Sequence, residues 1–465
     1  MPSIETACEV RVSENRILRP GVSRRTLLQG LGLATFALPI LGACSTGAPA
    51  GGGGGNGKKL SFWNFYGDSG NGEPQSEWFI KLVKDWNANN DVQVDLRYIP
   101  NADYVSGTTL QTAFTAGTGP DIFLVSPGDF LRYANGGVLY DLSSAVNDAQ
   151  IADFSGSVLD TRMVDGKLLG LPMEVEPLAL YYSIDAFEKA GLSEGDVPQT
   201  WDQLLSVGEK LITDKQFGLV LETTPGYYQN FTWYPFMWMA GGEVVDPSGK
   251  AVFDSRANHS ALQLWGDLTA AGVTPRKNQG TGGGDVPGNM GAGYCAMQQS
   301  GIWAVAELDQ KVPDYNYSVA PLPIPAGGKA STDMGGWAFC ANAKGANPEA
   351  AAKFVAWAIA GQDADGIERM RQWNSVVKTN VPTRTSVSEA VKSAGTWDSG
   401  PLKIFAEEIA PAGRPEPRFP PQVYQPISDA LQAVQLGGTD AATAAGTAQA
   451  ALETFLAGYS GGAII

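Results

Sequence analysis

Residues 60–125 decide the fold. Leu60-Ser-Phe-Trp-Asn-Phe65 opens a pattern that continues through Val92-Gln-Val-Asp-Leu-Arg-Tyr98 to Asp121-Ile-Phe-Leu-Val125. The first and last are short, mostly apolar runs, and the middle one alternates with period two, as a strand does. Between the first pair, Trp78, Leu82, Val83 and Trp86 recur at helical spacing. Between the second pair, a helix is predicted over 103–116. Strand, helix, strand, helix, strand predicts a parallel α/β sheet with crossover connections. Ligands on such sheets gather at the carboxyl ends of the strands. That draws attention to residues 64–68 and 126–129.

Further along, residues 168–182 are extended but interrupted by Pro172 and Pro177, which argues against one central strand. The segment suits a linker strand crossing between two lobes. Helices are predicted over 201–211, 227–239 and 258–271, and again over 422–436 and 441–456. Residues 317–323 read as extended and are predicted to cross back. No internal repeat is visible.

Working back to the start, Ser23-Arg24-Arg25-Thr26-Leu27-Leu28 leads into an apolar run that ends in Leu41-Gly42-Ala43-Cys44. Paired arginines before a hydrophobic run resemble a twin-arginine export signal, and Leu-Gly-Ala-Cys resembles the lipobox of bacterial lipoproteins. On that reading residues 1–43 are a signal peptide and Cys44 becomes a lipidated N-terminus. A transmembrane anchor is the alternative. However, the run contains Gly30, Gly32, Pro39 and Gly42 and falls short of the ~20 apolar residues a spanning helix needs. Residues 44–58, the lipidated Cys44 followed by a glycine-rich run without a packing side chain, read as a lipid anchor and flexible tether.

Composition excludes several chemistries. Roughly 400 residues after Cys44 exceed one ordinary core and predict two domains. The net charge of −16 argues against nucleic-acid binding, which wants a basic stripe. One histidine, His259, sits at a helix start and reads as a surface or capping residue, not a catalytic triad member. Beyond Cys44 only Cys295 and Cys340 remain, too few for a Cys/His zinc site. Both fall in predicted strands, and a disulfide and two buried thiols stay open as readings. Gly327-Gly-Lys-Ala330 lacks the spacing of a phosphate-binding loop. No cofactor is implied.

The mature chain resembles the extracytoplasmic solute-binding proteins of bacterial ABC importers, in the sugar-binding group that includes the maltodextrin-binding protein. The resemblance runs through Gly119-Pro-Asp-Ile122, Gly137-Val-Leu-Tyr-Asp-Leu142, Gly166-Lys-Leu-Leu-Gly-Leu-Pro172, Leu178-Ala-Leu-Tyr-Tyr182, Ala240-Gly-Gly242, Ala296-Met297, Gly301-Ile-Trp-Ala304 and Ala320-Pro-Leu-Pro323. It implies an α/β fold of two periplasmic-binding-protein-like lobes, with a central cleft and crossing hinge strands. Lobe 1 would comprise 59–172 and 320–378, and lobe 2 would comprise 173–319 and 379–465. It further implies a monomer that carries a sugar to a membrane permease and touches the membrane through its lipid anchor alone.

Sugars offer hydroxyls and apolar C–H faces, so their sites combine flat rings with carboxylates and amides. Trp303, in Gly-Ile-Trp, matches the family's aromatic after a short strand. Asp68 falls where the family places an aspartate after the first strand, and Glu176 where it places a hydroxyl-binding glutamate. Glu174 lies two residues earlier, about 7 Å away on the same strand face. Tyr228 and Trp233 lie in a region the family uses for stacking, beside Tyr227. Tyr424 falls near a late aromatic contact, with Arg418 on the approach to it, and Trp337 returns in the first lobe. Asp129 is a weaker match, because the family's tryptophan and aspartate-arginine pair after the third strand are here Val125 and Gly128-Asp129. Two other readings remain open at this point. One is a lipid-anchored glycoside hydrolase using Glu174 and Glu176, whose spacing approaches the ~6.5–9.5 Å of an inverting pair. The other is a sensor or adhesion protein on the same fold.

Overall fold

The computed structural model describes residues 58–67, 70–105 and 108–464. Residues 1–57, on which the expected signal peptide, Cys44 and the expected tether fall, and Asp68 lie outside the described residues. Strand Lys59–Asn64 pairs parallel with Gln93–Tyr98 on one side and with Ile122–Val125 on the other. All four residues of Ile122–Val125 are buried, as a strand covered on both faces requires. Helix Pro74–Asn89 starts with proline in its first turn and turns Trp78, Phe79, Leu82, Val83 and Trp86 onto the sheet side. The helix predicted over 103–116 is two helices, Asn101–Val105 and Thr109–Thr115. The sequence between them, Ser106-Gly107-Thr108, is of residue types that favour turns over helix interiors.

The first sheet is completed from far along the chain. Ala338–Ala341 runs antiparallel to Ile122–Val125, and Leu171–Pro172 pairs on its other side. The second sheet is built around Glu176–Ser183, eight residues buried throughout. Cys295–Gly301, Tyr317–Ala320 and Thr332–Gly335 all pair antiparallel with it, while Phe217–Val220 and Gly413–Pro415 add parallel edges. Tyr317–Ala320 therefore belongs to the second sheet and does not cross back. The crossing comes later, between Gly335 and Ala338.

Two apolar cores correspond to the two sheets. One gathers residues from Leu60 to Met173 and from Phe339 to Val391, the other from Leu178 to Leu322 and from Leu402 to Leu452. The chain thus passes between lobes near 174–177, 335–338 and 391–402, the last two later than 320 and 378. Cys295 lies in one core and Cys340 in the other, both as free buried thiols. Gly336 makes the second crossing possible. Its φ is +123°, and a Cβ there would lie 2.2 Å from the Glu174 carbonyl oxygen. Only glycine allows two crossing backbones to touch in this way.

Candidate functional site

The crossings carry a buried charged network. Glu174 and Glu176 point at one ammonium, that of Lys378, which arrives from the segment after helix Ala364–Gln372. Lys378 Nζ donates to Glu174 Oε1 at 2.8 Å and also to Glu176 and to the Tyr66 hydroxyl. Asn380 Nδ2 donates to Glu174 Oε2 at 2.7 Å and to Glu176 Oε1 at 3.1 Å, and the Trp373 indole N–H adds a bond to Glu174. Between Lys378 and Asn380, Thr379 adopts φ +56°, an outlier for a β-branched residue. Glu174, Glu176 and Lys378 are each no more than 5% exposed. Burial alone would lower the Lys378 ammonium, but Glu174 and Glu176 outweigh it and hold it above its usual value. Burial pushes the Glu176 carboxyl up to about 7 against the pull of Lys378, because one cation serves two carboxylates.

Aromatic rings stand around this network. On the first lobe Tyr66 stacks on Phe79 and lies beside Phe65, whose ring meets Trp337 edge-on with centroids 4.6 Å apart. On the second lobe Trp303 begins helix Trp303–Lys311. Its ring lies over Gly301, where a Cβ would come within 1.8 Å of it, and its indole N–H faces the Gly284 carbonyl at 3.4 Å. Tyr228, on helix Tyr227–Met239, reaches the same glycine: a Cβ on Gly284 would lie 2.5 Å from the Tyr228 hydroxyl. Burial raises the Tyr228 and Tyr66 phenols, and Glu176 and Glu307 act on both. The charge of Glu307 is therefore felt by a tyrosine of each lobe. Sequence reasoning did not find it. The available signal was its place one helical turn after Trp303, on the same face.

A second cluster joins the lobes elsewhere. Arg132 Nε holds Asp129 at 2.8 Å and the Tyr424 hydroxyl donates to Asp129 at 3.0 Å, linking helix Pro127–Asn135 to helix Pro421–Gln435. Arg132 also meets the Tyr424 hydroxyl. Beside it, a Cβ on Gly128 would lie 2.2 Å from Glu416 Oε1. Burial pushes Glu416 up to about 8, against the pull of Arg162. Asp333, fully buried next to it, is raised well above the carboxylate range by burial and then by Glu416.

The structure thus gathers Glu174, Glu176, Tyr228 and Trp303 around one crossing, and Asp129 with Tyr424 at another contact between lobes. Trp337 packs with Phe65 on the first lobe. Trp233 is fully enclosed in the second core against Tyr234 and Phe253. Arg418 is buried on the carbonyls of Met163 and Ala463. His259 pairs with Asp254 on the surface of the second lobe. Among the described residues no group of His, Cys, Asp and Glu is arranged to hold a metal ion, and no helix is long and apolar enough to cross a membrane.

Known proteins resemble this chain in sequence and fold. The sequence profile of the bacterial extracellular solute-binding proteins matches residues 69–362. The arabinooligosaccharide-binding protein of Bacillus subtilis is 26% identical over 66% of this chain and 70% of its own length. The diacetylchitobiose binding protein DasA of Streptomyces coelicolor is 25% identical over 82% of this chain and 89% of its own. Among solved structures, an ABC transporter solute-binding protein from Thermotoga lettingae bound with α-D-tagatose superposes with a TM-score of 0.73. It has 24% identity and covers 86% of this chain and 100% of its own. Maltose-bound T. maritima MalE3 gives 0.70 at 22% identity, covering 85% and 99%. At these identities the structural likenesses establish the fold.

Proposed function

Because this chain belongs to the bacterial extracellular solute-binding protein family, we propose that it captures a saccharide between its lobes and delivers it to the permease of an ABC importer. The observation that carries this is the meeting, at the lobe crossings, of ring faces with carboxylates: Tyr66 from one lobe, Tyr228 and Trp303 from the other, and Glu176 and Glu307 beside them. Rings take the C–H faces of a sugar and carboxylates its hydroxyls. A ligand touching both walls stabilises the closed arrangement, and the short crossings serve as the hinge.

The protein acts outside the cytoplasm, held to the membrane by lipid on Cys44, as a monomer and without covalent chemistry. The hydrolase reading is less well supported, since Glu174 and Glu176 are both engaged by Lys378 and Asn380 and neither is free to attack or protonate a glycosidic bond. Thermal-shift screening of the purified chain against neutral mono- and oligosaccharides tests the proposal, since a ligand binding only the folded state stabilises it by RT ln(1 + [L]/Kd). Saturable stabilisation with intact sugar recovered afterwards supports it; stabilisation by no saccharide, or recovery of cleaved sugar, defeats it.

A further inference from the structure

One face of helix Trp303–Lys311 looks across at the first lobe. Its residues at four-residue spacing are Trp303, Glu307 and Lys311. At the far end Lys311 meets Glu73 of the first lobe at 3.9 Å, and the adjacent Gln310 side chain donates to the Val377 carbonyl of the first lobe at 3.2 Å. At the near end Trp303 covers Gly301, and the Ile302 carbonyl receives the Thr379 hydroxyl at 3.5 Å. Glu307 sits midway along this bridging face. It is half-buried, and its carboxylate has neither a hydrogen bond nor an ion pair among the described residues. Three acids near it, Glu174, Glu176 and Glu222, are each engaged. Glu174 and Glu176 share Lys378, and Glu222 accepts the amides of Thr223, Thr224 and Gly283. Burial raises the Glu307 carboxyl, Lys311 and Lys378 favour its charged form, Asp285 and Glu73 oppose it, and its charge raises the phenols of Tyr66, Tyr181 and Tyr228.

A half-buried carboxylate left without a donor, beside glutamates that are each hydrogen-bonded, has acceptor capacity that the chain itself does not use. Resting on the saccharide reading above, we infer that Glu307 is the specificity-determining residue of the cleft: it accepts hydroxyl donors of a neutral saccharide and excludes saccharides that carry a carboxylate. The exclusion follows from charge, above about pH 7 where Glu307 is ionised against the burial that raises it. Lys378 is already shared by two glutamates and Lys311 lies against Glu73, so an incoming anion would find both nearby cations engaged. Like charges brought together in a water-poor cleft repel far more strongly than in bulk solvent.

The test uses calorimetric titration of the full mature chain. The probes are whichever of maltose, cellobiose, mannobiose and arabinobiose stabilises it most, and a uronate form of that disaccharide, oxidised at one terminal carbon. Wild type is expected to bind the uronate at least 100-fold more weakly than the neutral sugar. Glu307→Gln, of the same shape, is expected to lose at least tenfold in affinity for the neutral sugar and to narrow the uronate penalty below tenfold. Asp309→Asn, a charge change on the same helix, should leave both values unchanged. An undiminished penalty in Glu307→Gln, with the neutral sugar bound as in wild type, overturns the assignment and leaves saccharide capture standing. No binding of any neutral saccharide by wild type overturns saccharide capture and this inference with it.

Discussion

Gly336 and Glu174 meet backbone to backbone: the Glu174 carbonyl oxygen occupies the space a Gly336 Cβ would need, 2.2 Å away, at a φ of +123°. The Arg162 guanidinium bonds the Gly336 carbonyl at 2.7 Å and fixes this contact from the first lobe. Two of the three lobe crossings are thereby locked to each other, and the Glu174 side chain in turn reaches the segment just before the third.

Gly336→Ala is therefore expected to destabilise the fold by about 3 kcal/mol, combining a disallowed φ with a steric clash. Gly293→Ala is the control. It also has a positive φ, +75°, but open space around the site, so about 1 kcal/mol is expected. Urea denaturation midpoints at unchanged m-value measure both. Equal losses in the two variants would mean that the crossing relaxes around the added methyl.

Lys378→Met leaves Glu174 and Glu176 buried without their cation. Removing one partner of a buried ion pair costs about 3–5 kcal/mol, since the remaining charge stays desolvated. The loss is expected to be larger at pH 8 than at pH 5, where Glu176 can take up a proton. Combining Lys378→Met with Glu176→Gln should recover part of it. A double variant no more stable than the single one would show that the carboxylate pair is not the source of the loss.

Glu416 gives the clearest pH signature. Its folded value is pushed up to about 8 from an ordinary 4.5, chiefly by burial. Between those values the folded chain holds a proton that the unfolded chain has released. The contribution of Glu416 to stability is therefore full below about pH 4.5, is lost as pH rises, and is gone above about pH 8. Glu416→Gln removes the dependence: relative to wild type it should gain on the order of 2 kcal/mol at pH 8.5 and nothing at pH 4.5. A wild-type minus variant difference that is flat across this range would refute the shift.

The sheet of the first lobe was legible because its strands and helices alternate locally, and Val92 to Tyr98 keeps a strict period of two. The return of Ala338–Ala341 to that sheet was not, because pairing across some 200 residues leaves no local trace. Glu174 and Glu176 stood out as acids on a proline-flanked strand. Lys378, which holds both, is a lone cation about 200 positions later and nothing nearby marks it. Trp233 sits on a helix whose sequence is apolar on nearly every face, and such a helix gives no direction to any one ring; the structure encloses it. Nothing local in the sequence separates Glu307 from a solvated helix charge.

Cys44 lies outside the described residues, and its role rests on Arg24-Arg25, the apolar run and Leu-Gly-Ala-Cys. Cys44→Ala is expected to move the protein from the membrane fraction to the soluble one, or to leave its signal uncleaved. Fractionation with detection of the processed chain decides it. Normal processing and membrane retention in the variant would reject lipidation at this position.

Trp303 can be tested from both sides of its contact. Its ring lies on Gly301, so Gly301→Ala displaces the indole without deleting it, while Trp303→Ala deletes it. The ring is 9% exposed and packs with the second core, so the deletion is expected to cost stability, within the ~3–5 kcal/mol range of a lost core aromatic. If the exposed edge also carries the sugar, both variants lose at least tenfold in affinity of the folded fraction, about 1.4 kcal/mol. Trp303→Phe should restore stability better than affinity, since a smaller ring fills space but presents less face. Titration calorimetry on folded protein, with apo melting beside it, separates the two roles. Variants that melt earlier yet bind the saccharide as tightly as wild type would assign Trp303 to the lobe core alone and leave Tyr66 and Tyr228 as the rings that face the ligand.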